Sequence, residues 1–222
     1  GMFPMMLTRR HLLRATGALA LGAALLPPAS ARAAPPRAAP LNDQQRADVA
    51  AVESYLNSIR TLSSRFQQFS ANGGTATGQL YLSRPGKMRF EYDPPVPILL
   101  VADGRNIYYY DKELQQVSDI RVNETPAGFL LRDTIKLTGD VTVTAFDHHP
   151  GAIRVTVVQT DEPGQGAVTM VLEDRPIQLR QWTVVDAQQK QTTLVLDSPH
   201  YGAPLSPSLF YWTDPRPSPE AK

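Results

Sequence analysis

The chain has 222 residues, of which 42% are hydrophobic and 19% are charged, with 22 basic against 21 acidic residues. This length and apolar fraction suit a single globular domain, and they exclude a disordered, collagen-like or multi-span membrane protein. The absence of cysteine excludes disulfide bonds, thiol catalysis, thiolate metal sites and a lipid attached to a cysteine.

Residues 1–33 are predicted to form an export signal, with Gly1 interpreted as a remnant of an expression vector. Residues 8–14 read Thr-Arg-Arg-His-Leu-Leu-Arg, and the apolar run 15–26 that follows is too short to cross a hydrocarbon layer of about 30 Å. A general-secretory signal with a chance arginine pair is one interpretation. We favour a twin-arginine signal, because a threonine precedes the pair and two leucines follow it. Both interpretations place the mature protein in the periplasm.

Removing this signal takes away four arginines and no acidic residue, which leaves 18 basic and 21 acidic residues and a net charge of −3. An acidic chain without a basic run does not indicate nucleic-acid binding. Residues 34–40 are a proline-rich leader, interpreted as having no core to join. A single domain is predicted for residues 41–214, and a disordered tail for residues 215–222.

Apolar residues recur at steps of three and four from Val49 to Phe69, after a candidate N-cap at Asn42 or Asp43. This spacing predicts one amphipathic helix that runs to about Ser70. Its apolar face includes Leu62, Phe66 and Phe69.

The apolar period then changes to two, which is typical of half-buried strands. Strands are predicted at residues 79–82, 87–93, 98–102, 107–110, 116–120, 141–146, 153–159, 167–173, 179–185 and 191–196, with a last edge strand at 209–212. A short second helix is predicted to open at Thr125-Pro126. Large antiparallel sheets curl to hide their edges and need apolar cover. We therefore predict a mainly β protein with some α: an open, incomplete antiparallel β-barrel of about ten to eleven strands, covered by a helical lid.

No motif for catalysis is evident, since the sequence lacks a nucleophile elbow, a P-loop and a zinc-protease helix. His148 and His149 fall in a predicted turn without a third ligand, so we interpret them as solvated. The sequence predicts neither an enzyme nor a site for a metal or cofactor.

Apolar side chains on the predicted helices and strands form a candidate cavity wall. They are Leu62, Phe66, Phe69, Leu80, Leu82, Met88, Phe90, Tyr92, Ile98, Leu100, Phe129 and Leu130. Regular apolar spacing alone favours an ordinary packed core. A barrel of this many strands is, however, wider than its side chains easily fill, which favours some interior space.

Arg84 shares strand parity with Leu80 and Leu82, so its side chain is expected on the apolar face near a strand end. A guanidinium there needs hydrogen-bond acceptors for its five donors. If the turn instead begins at Arg84, the side chain points into water. The pattern alone leaves both interpretations open.

Residues 78–92, Gly-Gln-Leu-Tyr-Leu-Ser-Arg-Pro-Gly-Lys-Met-Arg-Phe-Glu-Tyr, resemble the signature of periplasmic outer-membrane lipoprotein carriers of the LolA type. Four further features agree in order: Phe-Gln-Gln-Phe at 66–69, Val-Ala-Asp-Gly at 101–104, Tyr-Tyr-Asp at 109–111, and Thr125-Pro126. The resemblance extends from about residue 49 to residue 212.

The resemblance implies an open barrel whose cavity holds the acyl chains of a triacylated lipoprotein on its way from the inner to the outer membrane. It implies that Arg84 hydrogen-bonds the lid and keeps the empty cavity shut. The implied partners are an inner-membrane lipoprotein-releasing ABC transporter and an outer-membrane receptor lipoprotein, and a one-cargo shuttle would work as a monomer. The alternative function is a lipid-sensing periplasmic regulator, or another lipid-transfer protein with the same fold.

Overall fold

A computed structural model describes residues 34–216 of the chain. The predicted export signal, residues 1–33, lies outside the described residues, as do the last six residues of the predicted tail. Within the described part, no helix combines the length and the apolar character that a membrane crossing requires.

Residues 34–216 contain one α-helix and eleven β-strands. They are α1 (Asp43–Ser58), β1 (Thr61–Ser70), β2 (Thr75–Ser83), β3 (Lys87–Tyr92), β4 (Ile98–Asp103), β5 (Asn106–Asp111), β6 (Gln116–Arg121), β7 (Val141–His149), β8 (Ala152–Gln159), β9 (Gly166–Asp174), β10 (Ile177–Asp186) and β11 (Gln191–Tyr201). Short 3-10 helices lie at Val122–Glu124, Gly128–Leu131, Pro163–Gln165 and Pro207–Phe210.

All eleven strands belong to one antiparallel sheet in the order β6-β5-β4-β3-β2-β1-β11-β10-β9-β8-β7. The pairing of β1 with β11 joins the first six strands to the last five. Strands β6 and β7 are the two edges, so the sheet curls without closing. The predicted fold class, a mainly β protein built on an open antiparallel barrel, is confirmed.

Helix α1 begins with a capping box, in which the Asn42 side chain accepts from the Gln45 amide at 2.8 Å and the Gln45 side chain accepts from the Asn42 amide at 2.9 Å. Its buried face, Val49, Val52 and Leu56, packs into the same core as the inner faces of β7 to β11. At about 1.5–3 kcal/mol for each fully buried side chain, this face holds the helix against the sheet.

The prediction that this helix continues to Ser70 is wrong, because residues 61–70 form β1. The inward positions of β1 are Leu62, Ser64 and Phe66, all buried. The single O–H donor of Ser64 is shared between two acceptors within hydrogen-bond distance, the carbonyl oxygens of Arg65 (2.7 Å) and Asp197 (3.0 Å). A buried serine in the middle of the strand hides the period of two, and the remaining apolar residues imitate helical spacing.

The predicted second helix is also absent from the described residues. Residues Gly128–Leu131 form one 3-10 turn instead, and the Thr125 hydroxyl donates to the Val122 carbonyl rather than capping a helix. We call residues 122–140, which connect β6 to β7, the lid loop. The lid therefore consists of one α-helix and a largely irregular loop.

The C-terminal end of the described chain packs differently from the prediction, and the N-terminal end contacts a sheet edge. Residues 209–212 form no strand; Trp212 stacks on Tyr108 on the outer face of the sheet, with ring centroids 4.8 Å apart. The proline-rich sequence before it disfavours a strand, since proline cannot donate to a ladder. The leader donates from the Ala39 amide to the Val143 carbonyl at the β7 edge (2.9 Å), and Leu41, the first residue of the predicted domain, packs against the core.

Candidate binding cavity

An apolar cavity of about 260 Å³ lies between the inner face of the sheet and the lid. Its sheet side comes from β1, β2, β3, β5 and β10, and its cover comes from the end of α1 and from the lid loop. Arg84 and Thr125 are the two lining residues with polar side-chain groups apart from the indole of Trp182. The cavity is therefore suited to an apolar ligand.

Five of the predicted apolar residues line this cavity: Leu62, Leu82, Met88, Phe90 and Leu130. Arg84 lines it as well. Leu82 and Met88 are directly opposite each other on β2 and β3, and Leu62 is opposite Leu82 on β1. One row of cross-strand neighbours thus forms this part of the wall.

The other predicted wall residues lie elsewhere. Three of them belong to the packed core, namely Phe66, Leu80 and Phe129, which are 1%, 0% and 3% exposed. Ile98 is also buried. Leu100 and Tyr92 are partly buried and pack beside the core. The Phe66 ring meets the Phe90 ring at 5.2 Å and the Tyr92 ring at 5.3 Å, both edge to face. Tyr92 donates to the Gln68 amide oxygen (2.6 Å), and burial raises its pKa to about 12.

Phe69 does not face the interior and is 43% exposed. A helix places residues 66 and 69 on one face, whereas a strand places them on opposite faces. The expectation for Phe69 followed from the wrong helix prediction and is corrected with it.

Strand β10 also lines the cavity, through Leu179, Trp182 and Val184, none of which is among the predicted wall residues. Residues 179 and 182 have opposite parity and should lie on opposite faces of a regular strand. A β-bulge between Leu179 and Gln181 shifts the register against β9, so all three side chains face inward. No alternation rule applied to the sequence would place them together. Ile107 on β5 could have been predicted to line the cavity from the pairing of adjacent strands. It is directly opposite Ala102, which is itself opposite Met88, so it continues the cross-strand row that contains Leu82 and Met88.

Arg84 is only 8% exposed and lies at the end of β2, where its guanidinium joins the sheet to both parts of the lid. Toward α1, Nη1 donates to the carbonyl oxygens of Leu56 (2.7 Å) and Ile59 (2.8 Å). Toward the lid loop, Nε donates to the Arg132 carbonyl (2.9 Å) and Nη2 to the Asp133 carbonyl (2.9 Å). Of the two orientations considered for the Arg84 side chain, buried or pointing into water, the structure has the buried one.

The positively charged Arg84 guanidinium lies at the C-terminal end of helix α1, where its charge is favourable. The C-terminal carbonyls of a helix carry partial negative charge, and Arg84 binds two of them. Burial lowers the pKa of the Arg84 guanidinium, and nearby Arg60 lowers it further, while Asp133 opposes both effects. Arginine nevertheless stays protonated at neutral pH because its ordinary pKa exceeds 12.

The helix and the lid loop are also joined to each other. The Asn57 side chain donates to the Ile135 carbonyl (2.8 Å) and accepts from the Ile135 amide (2.8 Å). Glu53 accepts from the Leu137 amide at 2.7 Å. Ile135 and Leu137 are both 2% exposed, so these side chains satisfy a buried segment of the loop. The two parts of the lid are therefore one packed unit.

His148 lies in β7 rather than in a turn, and its ring bridges two carboxylates. Its Nδ1 is 2.8 Å from Asp48 on α1, and its Nε2 is 3.2 Å from Asp174 on β9. The hydrogen bonds to Asp48 and Asp174 raise the pKa of His148. This correction makes His148 a link between the helix and the sheet, outside the cavity.

The fold and the cavity define a class: an unclosed antiparallel sheet with an apolar interior, covered by a helix and a loop, with one buried arginine that hydrogen-bonds both. The family model described as "Outer membrane lipoprotein carrier protein LolA" matches residues 57–213 of the chain. The chain therefore belongs to the LolA family.

Individual relatives are similar at moderate identity. A protein of Pseudomonas syringae named outer-membrane lipoprotein carrier protein is 35% identical over 107 residues, which cover 44% of this chain and 52% of the relative. A protein of the same name from Chromohalobacter salexigens is 35% identical over 135 residues, covering 57% and 59%. The matched segments thus span little more than half the length of these curated relatives. The crystal structure of a LolA superfamily protein from Nitrosomonas europaea has a TM-score of 0.43 and 8% identity, over 74% of this chain and 97% of that one.

Proposed function

We propose that this protein is a periplasmic carrier that binds the acyl chains of lipoproteins in its cavity and takes them from the inner to the outer membrane. The observation that carries the proposal is an apolar cavity beneath a lid that the buried Arg84 joins to the sheet. Membership of the LolA family supports it, as do the carrier names of the two relatives.

The physical need for such a cavity follows from the cost of exposing acyl chains to water. Each methylene that leaves water for an apolar site contributes about 0.8 kcal/mol, so even a part of one acyl chain supplies substantial affinity. With the lid in this position, the cavity of about 260 Å³ is smaller than the ~300–1,000 Å³ typical of small-molecule sites. Acyl binding therefore requires the lid to move away from the sheet.

Arg84 is the proposed gate for this movement. The apolar lining comes from both sides of the lid contact, with Leu82 and Met88 on the sheet and Leu130 on the lid loop. Separating them breaks the hydrogen bonds of Arg84 to four carbonyl groups, and the acyl chain then takes the place of the lid against the sheet. Cargo shifts the equilibrium toward the open state only by as much as it prefers that state, so the Arg84 contact sets the threshold for binding.

The proposed pathway has cargo released to this protein by an inner-membrane ABC transporter and delivered to an outer-membrane receptor lipoprotein, with the carrier acting as a monomer. The predicted export signal, of twin-arginine type, brings the chain to the periplasm.

A release assay tests the carrier role. Mature protein is added to spheroplasts that carry a labelled triacylated lipoprotein and the cognate transporter, with ATP. We expect a soluble complex between the lipoprotein and the carrier, which is lost when Leu82 and Leu130 are both replaced by Glu. Absence of any released lipoprotein, with a protein that still binds acyl probes, would contradict the carrier role and favour lipid sensing or another lipid transfer.

A further inference from the structure

A second, basic groove of about 360 Å³ lies beside the lid, separate from the apolar cavity. It is bounded by the β2–β3 turn, the β4–β5 turn and the lid loop. Arg105, Arg121 and Arg132 line it, and none of its lining residues is acidic. Three guanidinium groups around one groove are unusual in a domain whose mature net charge is −3.

The arginines of this groove are largely available to a ligand. Arg105 and Arg121 are exposed and have no ion pair among the described residues. Arg132 contacts Asp140 at 3.0 Å, but the Asp140 side chain is 79% exposed, so this contact is a weak surface pair. Three like charges held at one groove repel each other unless an anion lies between them.

Glycines keep the groove open. A Cβ on Gly86 would lie 2.7 Å from the Cα of Gly104, so the β2–β3 and β4–β5 turns touch through bare backbone. Gly104 itself has a φ of +110°, and a Cβ there would point into open space. This contact brings Arg105, the next residue, to the side of the lid loop.

The groove and the apolar cavity share one wall. Leu131 lines both, and its carbonyl accepts from the Gly86 amide at 2.7 Å. The next residue, Arg132, lines the groove while its carbonyl accepts from Arg84. When the lid loop leaves the sheet, these two hydrogen bonds break and the partition between groove and cavity is removed.

We propose that the groove binds the phosphate group of an anionic amphiphile whose acyl chain occupies the apolar cavity; this inference rests on the proposed acyl-binding function. Arginine donates paired hydrogen bonds to phosphate oxygens. Arg105 in the β4–β5 turn and Arg121 at the end of β6 do not belong to the lid loop, so both stay beside the cavity when the loop that carries Arg132 moves. The continuity through Leu131 places such a charge at the point where a chain leaves the cavity. The ligand class is a lipid with a phosphate headgroup, in addition to neutral acyl cargo.

The binding of two lipids with the same acyl chain distinguishes the contribution of the headgroup from that of the chain. Lauroyl lysophosphatidylglycerol carries a phosphate and monolauroylglycerol does not. Each is used below its critical micelle concentration with the full mature protein. We expect the phosphate lipid to bind about tenfold more tightly, and this ratio to fall as salt rises. The double variant Arg105→Gln, Arg121→Gln should bring the ratio close to one. Arg154→Gln, at an exposed arginine on β8 outside the groove, should leave it unchanged.

The outcomes separate the two proposals. If monolauroylglycerol does not bind at all, the acyl-binding function itself is contradicted. If both lipids bind equally, or if the preference survives the double variant, only the phosphate groove is contradicted. Binding of inorganic phosphate alone is also measured. If the double variant abolishes phosphate binding but the wild-type protein shows no preference between the two lipids, the groove is a site for the free ion, and the proposal of an amphiphilic ligand is contradicted.

Discussion

Replacing Arg84 by Leu removes the contact that holds the lid on the sheet. Four of its hydrogen bonds are 2.7–2.9 Å long and a fifth, to Asn57 Oδ1, is 3.4 Å. Hydrogen bonds from a charged donor contribute about 1.5 kcal/mol or more each, and desolvation of the guanidinium offsets roughly half of the total. We take about 3 kcal/mol as the net contribution, which corresponds to a change of about two orders of magnitude in the closed-to-open ratio.

The Gly86 amide reports this opening directly, because it belongs to the sheet and donates to Leu131 in the lid loop. In Arg84→Leu its hydrogen exchange should accelerate by up to about a hundredfold, until global unfolding limits it. Binding of an acyl probe should strengthen, because the apparent dissociation constant falls as the open state becomes more populated.

Arg60→Ala is the matched control. Arg60 also binds Asp133, at 2.9 Å to the carbonyl and 3.0 Å to the carboxylate, but its side chain is 56% exposed. A surface pair of this kind contributes about 0–1 kcal/mol, so exchange and probe binding should change little. If Arg84→Leu changes neither quantity more than Arg60→Ala does, the reasoning about the gate is refuted.

Three further predictions concern the wall, the helix link and the core. Leu130→Glu should weaken acyl-probe binding at least tenfold, because it places a charge in the cavity, whereas the matched Phe69→Glu on the outer face should not. Equal losses of probe affinity in the two variants, measured by titration, would contradict the assigned cavity wall. His148→Gln should lower stability to urea in mild acid only. The pKa of His148 is raised in the folded protein, so its contribution to the free energy of unfolding is present below its ordinary pKa of 6.5 and is lost as the pH rises through the folded value. A stability difference between variant and wild type that stays the same from mild acid to alkaline pH would contradict this prediction. Gly78→Ala should cost about 1–3 kcal/mol in the free energy of unfolding, since its Cβ would lie 2.2 Å from the backbone carbonyl oxygen of Glu91 and 2.6 Å from the Phe66 ring. Unchanged stability would contradict this close packing of β2 against β3 and the ring.

The alternation of apolar and polar residues was sufficient to predict most of the sheet. Strands β8 and β9 bury every second residue over most of their length, and most of the turns between strands carry glycine or proline. The fold class followed from the number of strands, because so large an antiparallel sheet must curl and cover its inner face. The parity of Arg84 with Leu80 made a buried guanidinium one of two open interpretations, and the partners on α1 and the lid loop that decide between them could not be read from the sequence.

Where prediction failed, tertiary contacts had overridden the local pattern. Ser64 is buried because a carbonyl on β11 accepts its hydroxyl, and this disguised β1 as a helix. The bulge in β10 moved Trp182 to the inner face, which changed the composition of the cavity wall. His148 found carboxylates on two distant elements, Asp48 and Asp174, although its own neighbours suggested a solvated turn.

The central claim is that an acyl chain enters the cavity between sheet and lid. Site-specific photocrosslinking tests it most directly, with a photoreactive phenylalanine placed at Leu130 in the wall, at Phe69 on the outer face, or at Tyr211, which is 68% exposed. After incubation with a triacylated lipoprotein labelled in its acyl chains, the label should crosslink at position 130 and at neither of the other two. Equal labelling at all three positions, or labelling at positions 69 and 211 alone, would contradict the account.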